Sequence, residues 1–346
     1  MIRGFWLWMA IVLLGAAAAA APARAEPASP ALVLEGRTDL RPFAGDFDHF
    51  AIDARRRRLY LAVEGGDALD VFNLDTGAFV RTVAGFDTPH SVFLVPGSKR
   101  LIVIAGGPGG SKVLDAGSLA VVGDLKMPPG ADSIGYDASR RRLYVVTGGK
   151  DVPMSVSYIS EVDPQTAKDL RDIRIDAIHV EALAVQQTGP HVFVNVTDKN
   201  DLAVIDKQRG TIVARWPIPE AKDNACIAYD EKTRRLFVAT RRPGKLVVIN
   251  ADTGAHVASF GGPGWPDQAL WDAANRRVYV TGADGTIGVY EQKDADHYAR
   301  LADVRSFPGA KTSILSAAQG RLYVAVSPGE AGKAAALVWY RVQPRR

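Results

Sequence analysis

A single cysteine, Cys226, stands in 346 residues. It has no partner within the chain, so a protein of this size must be held together by its core rather than by disulfides. The same scarcity excludes a heme attached through C-x-x-C-H and a zinc site built on thiolate pairs. Excess charge is also missing: 42 Lys and Arg face 38 Asp and Glu, a net of +4. That balance is too small to draw in a polyanion by itself, which argues against nucleic acid as a partner. No Gly-x-Ser-x-Gly elbow occurs, leaving a serine hydrolase of the α/β type without support. The glycine-rich stretch Gly106-Gly107-Pro108-Gly109-Gly110 lacks a Lys-Ser/Thr ending and does not lead into a helix, so it does not read as a phosphate loop.

One long apolar run is present, at the amino end. Residues 1–25 read as an export signal, with Arg3 as the positive start, Phe5 to Ala21 as the apolar stretch and Ala23-Arg24-Ala25 as a small-x-small cleavage site. The stretch approaches the ~20 residues of a spanning helix. Its Ala-rich second half and the cleavage site favour removal instead, and no cysteine near Ala25 offers a lipid attachment point. The expectation is a periplasmic or secreted protein with no membrane span after cleavage. Loss of Arg3 and Arg24 leaves 40 basic against 38 acidic residues, a net of +2.

The remaining chain is dominated by a repeat. An apolar-aromatic-apolar strand preceded by basic residues or a Gly turn recurs as Leu59-Tyr60-Leu61, Leu101-Ile102-Val103, Leu143-Tyr144-Val145, Val192-Phe193-Val194, Leu236-Phe237-Val238, Val278-Tyr279-Val280 and Leu322-Tyr323-Val324. The spacings are 42, 42, 49, 44, 42 and 44 residues, the period of four-stranded propeller blades. In the first period Phe50 to Asp53, Leu59 to Val63, Ala68 to Leu74 and Phe79 to Ala84 read as strands bounded by Gly and Asp turns. The seventh period runs out after Leu337 to Val342, with no outer strand left, while Ala31 to Gly36 is strand-like and belongs to no blade. The pattern therefore predicts an all-β, seven-bladed β-propeller over residues 26–346, one domain, closed by the amino-terminal strand completing the last blade.

Val278-Tyr279-Val280-Thr281-Gly282, Leu143-Tyr144-Val145-Val146-Thr147 and the Asp-Thr-Gly turns resemble the YVTN-type β-propeller repeats of the YncE-like group, with Gly282 in place of the usual Asn. A WD-repeat pattern fits less well, since Trp271-Asp272 stands alone without a Gly-His partner. The resemblance implies an exported seven-bladed propeller of undefined biochemistry.

Registering the blades on their anchors exposes one constellation. Eleven residues before each anchor stand Asp48, His90, Asp132, Glu181, Ala225, Asp267 and Lys311. Equivalent positions in a closed ring lie at equal height around the axis, so these side chains are expected to meet at one mouth of the channel, with His49, His179, Asn224 and Gln268 near enough to join. Charged groups brought together need water, a counter-charge or a ligand. A divalent cation is the candidate cofactor for such oxygen and imidazole groups. The plain alternative is that they solvate the mouth and cap strand starts.

Basic clusters at Arg55 to Arg58, Lys99-Arg100, Arg140 to Arg142, Arg234-Arg235 and Arg276-Arg277 fall on the turns between first and second strands, giving an expected basic face opposite the acidic mouth. They read either as solvated turns or as an attraction for anionic envelope polymers or an acidic protein partner. Trp265 is expected to pack between blades, and Cys226 to be a buried inert thiol. The asymmetric elements are the loop through Asp151-Val152-Pro153-Met154 and a longer fourth blade, which would form a selective lip. Two functional classes follow: a monomeric binding or scaffolding protein holding a small molecule, envelope polymer or protein partner through Asp48, His49, His90, Asp132, Glu181, Asp267 and Lys311, or a metal-assisted lyase or lactone hydrolase with its site in the same funnel.

Overall fold

Seven antiparallel sheets follow one another around a ring. A computed structural model describes Met1 and residues 30–329 and 334–345 of the chain; the remainder of the expected signal lies outside the described residues. Blade 1 consists of Phe50–Asp53, Arg58–Val63, Ala68–Asn73 and Phe79–Ala84, close to the strands expected from the repeat. In blade 7 the order from the inside outward is Thr312–Ser316, Arg321–Val326, Ala335–Val342 and then the amino-terminal strand Leu32–Leu40. The closure anticipated from the unpaired halves is present, and the closing strand runs longer than Ala31 to Gly36. A second seam lies beside it, where Gly45 and Gly329 exchange backbone hydrogen bonds of 3.2 and 3.1 Å.

The core is divided among the interfaces. Each of seven apolar clusters fills the space between two neighbouring blades, the seventh against the first included. The anchor aromatics Tyr60, Tyr144, Phe193, Phe237, Tyr279 and Tyr323 are fully buried in these wedges, which explains why the repeat keeps a large apolar residue at the centre of the second strand.

Strand direction alternates, so the turns between first and second strands and those between third and fourth share the end of the ring away from the mouth. Aspartates close the former turns: Asp53 accepts from the backbone N–H of Arg56 at 2.9 Å, and Asp137 from that of Arg140 at 3.0 Å. Several of the arginines are engaged at that end, which narrows the expected basic face. Arg58 donates to the carbonyls of Ala116 and Gly117 in the next blade, Arg235 to Ala295 O and Asp296, Arg277 to Gln343 O, and Arg100 to Gln165 O. Arg321 closes the series by pairing Glu35 at 2.6 Å and Asp75 O at 2.5 Å. Each is the first residue of its second strand, and each ties its blade to the turn of a neighbour.

The extra length before the Val192 anchor lies in blade 3, not in the fourth blade. Residues 149–156 form the connection between Arg142–Gly148 and Ser157–Asp163, whereas only residues 64–67 join the corresponding strands of blade 1.

Candidate functional site

In blades 1 to 6 the innermost strand enters the channel through a local irregularity, and that irregularity aims the site residue; in blade 7 the pairing from Thr312 to Ser316 runs without a slip. The pairing register of first and second strands slips between Pro89 and Ser91, between Val180 and Leu183, between Asn224 and Cys226, and between Pro266 and Gln268. The residues skipped are His90, Glu181 with Ala182, Ala225 and Asp267. In blade 1 Asp48 N–H donates to Ala62 O while Ala62 N–H donates to His49 O, and Asp132 with Ser133 brackets Val146 in the same way. Two residues thus oppose one, and the extra side chain is turned out of the pleat toward the axis.

As a result the structure brings Asp48, His49, His90, Asp132, Glu181, Asp267 and Lys311 to a single cavity of about 320 Å³. Of the neighbours expected to join them, Gln268 reaches His49 Nδ1 at 3.1 Å and His179 Nε2 holds Glu181 at 2.6 Å. Asn224 does not take part. It turns between blades 4 and 5, donating to Asn195 Oδ1 at 2.8 Å and Asp201 O at 2.9 Å.

Besides Lys150 and Asp151 of the long blade 3 connection, two charged residues at the mouth were missed by counting from one flank of the repeat. Glu64 and Arg241 both line the cavity, and both stand five residues after their anchor leucines, Leu59 and Leu236. Registering that second flank would have found them. Arg241 bridges Glu181 at 3.2 Å and Asp267 at 2.7 Å. Trp265, expected inside, is instead 61% exposed, with the Arg241 guanidinium 5.5 Å from its ring centre. It sits on a left-handed backbone at φ 48° and gains little burial there.

The mouth is an ion-pair network divided into two halves. On one side Lys311 lies 3.2 Å from Asp267 and 2.9 Å from Asp46, so that Arg241 and Lys311 together saturate Glu181 and Asp267. Despite burial, these carboxylates hold the Lys311 ammonium and the Arg241 guanidinium above their ordinary values. On the other side His90 Nδ1 lies 2.7 Å from Asp48 Oδ2 and 3.9 Å from Asp132. Burial works against the His90 imidazolium, but Asp132, Asp48 and Glu64 push it up to about 10. Burial would raise Asp48, yet His49, His90 and Lys311 bring it down to about 2. Burial and then the Asp48 charge push Glu64 up to about 7; burial outweighs the pull of His90 and, with Asp48 and Glu181 nearby, lifts Asp132 to about 6.

A cation could be held by Asp48, Glu64 and His90, or by Asp48, His49 and Asp132, whose ligand atoms in each set lie within 4.8 Å of one another. Glu181 and Asp267 belong to neither set, being engaged by Arg241. A metal would also have to displace the proton that His90 shares with Asp48. Cys226 is buried beside this network and its thiol is raised by burial, as expected of an inert residue.

No protein-family model matches the chain. Two curated proteins are similar over 120 residues: the uncharacterized protein YncE of Salmonella typhi, 23% identical over 35% of this chain and 33% of its own, and that of Salmonella typhimurium, 22% identical over the same shares. The chain thus spans about a third of the length of the curated relatives it matches. Among solved structures, a chain of a mitotic checkpoint complex superposes with a TM-score of 0.71 at 15% identity, covering 96% of this chain and 99% of that one. A chain of Kuenenia stuttgartiensis hydrazine synthase gives 0.72 at 13%, covering 88% and 99%. At these identities the likeness establishes the β-propeller fold alone. Among the described residues no helix is long and apolar enough to cross a membrane.

Proposed function

We propose that this is an exported propeller binding protein whose funnel mouth takes a small ligand through a positively charged group. The observation that carries this reading is an imbalance within the network. Asp48, Asp151 and Asp267 each have a cationic partner within 2.7 Å, and Glu181 has the Arg241 guanidinium at 3.2 Å. Asp132 and Glu64 do not: Asp132 has only Ser133 Oγ at 3.4 Å and His90 at 3.9 Å, and among the described residues Glu64 has no side-chain hydrogen bond at all. Two partly desolvated carboxylates whose nearest cation, the His90 imidazolium, is held closer by Asp48 favour an arriving cation. Export rests on the amino-terminal reading and places the mouth among envelope solutes. A polymer or protein partner at the opposite end is less well supported, because several of the arginines there are engaged by neighbouring blades.

Thermal unfolding of the exported chain with putrescine or benzylamine, and in parallel with calcium or zinc chloride, tests the reading. A rise in melting temperature with the amines, lost in Asp132→Asn and Glu64→Gln, is the expected result. No response to any amine, or an undiminished response in the double variant, would remove the cationic ligand. A metal-assisted lyase or lactone hydrolase is the second reading, favoured by the Asp48, Glu64 and His90 set. Stoichiometric metal in the purified protein that disappears in His90→Ala would move the assignment to it.

A further inference from the structure

The charged cavity has a neighbour of different chemistry. A second cavity of about 400 Å³ shares Thr88, His90, Asp132 and Asp151 with the mouth, and its remaining wall is glycine, proline and valine. The wall arises from the same register that places Glu64 and Arg241. Five residues after the blade 2 anchor stands Gly106, where blades 1 and 5 carry charged side chains. A Cβ there would come within 3.1 Å of His90 Nε2, so the absent side chain is what leaves room beside the imidazole. The opposite wall is supplied by Val152 and Pro153, which belong to the long blade 3 connection. Gly130 lies beneath that connection at φ +74°, where a Cβ would meet Gly148 O at 2.8 Å and Val152 at 3.2 Å. The lobe is therefore lined by backbone and short apolar groups, and it opens against Asp132, the less well-paired acid of the two it shares with the mouth.

Building on the cationic-ligand reading, we infer that the ligand is an amphiphilic organic amine: its ammonium sits against Asp132, where the lobe meets the mouth, and its apolar body lies in the Gly106–Val152–Pro153 lobe. A bare metal ion or a polyamine uses only the first of these surfaces. An alkyl or aryl body of a few carbons matches a lobe of this size and removes apolar area from water on entering it. The loop that builds the wall is the principal departure from the repeat, so selectivity is set by blade 3 while charge recognition is set by the ring.

Calorimetric titration of the exported chain with methylamine, propylamine, butylamine and hexylamine reads this directly. Each methylene that enters the lobe is expected to tighten binding by roughly fourfold, with the gain ending once the lobe is full. Val152→Asp, a change on a partly exposed loop, is expected to abolish the dependence on chain length, and Val152→Ala to weaken it. Equal affinity for all four amines in the unaltered protein, or an unchanged dependence in Val152→Asp, would overturn the lobe assignment while leaving the cationic reading standing. Failure of every amine to bind would overturn both.

Discussion

Replacing His90 by glutamine keeps a hydrogen-bond donor toward Asp48 but removes the titrating proton. The folded protein holds that proton more tightly than the unfolded chain does, from an ordinary 6.5 to about 10. Its contribution to stability is therefore complete below pH 6.5 and is lost as pH rises through about 10. At about 1.4 kcal/mol per pH unit, the interval is worth at most about 5 kcal/mol. The Asp48 carboxylate, held at about 2, expresses the same ion pair at acid pH, where its share is lost on falling from 3.8 to about 2, and the two are not added. Between pH 7 and 9.5 the wild-type unfolding free energy should fall by about 3 kcal/mol more than that of His90→Gln. Burial raises Glu64 to about 7 and the His90 charge holds it down, so its share of that attraction is part of the measured difference. Urea unfolding followed by tryptophan fluorescence at the two pH values measures the difference. Parallel curves for the two proteins would show that His90 is not held as an imidazolium by its acids, and the division of the mouth into paired and unpaired halves would fall with it.

Glu64 behaves in the opposite sense to Asp48, since its carboxyl is raised to about 7 and its ionisation destabilises the fold as pH rises from 4.5 through 7. Glu64→Gln should raise the melting temperature at pH 8, by an amount equivalent to about 1–2 kcal/mol after allowance for partial exposure, and leave it unchanged at pH 4.5. At the closure seam, Arg321→Gln removes contacts to Glu35 and to the Asp75 carbonyl and should cost about 1–3 kcal/mol in denaturant unfolding. Arg37→Gln, whose partner Asp39 is 75% exposed, should change stability by less than about 1 kcal/mol; equal effects from the two would deny Arg321 its role in closure.

The seven blades, their closure by an amino-terminal strand and the ring of ionisable groups were legible in the linear chain. A blade is a local unit, encoded within about 44 residues, and an equal offset from each anchor becomes an equal height around the axis. What Asp48, His90, Asp132, Glu181, Asp267 and Lys311 do to one another was not legible, because it depends on which groups meet across the channel. Only the folded ring pairs Arg241 with Glu181 and Asp267, leaves Asp132 and Glu64 without a close cation, and places the bulges that turn these side chains inward. The same holds for Trp265, exposed where an aromatic reads as core, and for the arginines, which read as solvated turns until a neighbouring blade supplies the carbonyls. Strand pattern and turn chemistry act between residues near in sequence. Charge balance, exposure and cavity shape arise from contacts between residues a blade or more apart, and those exist only once the ring has closed.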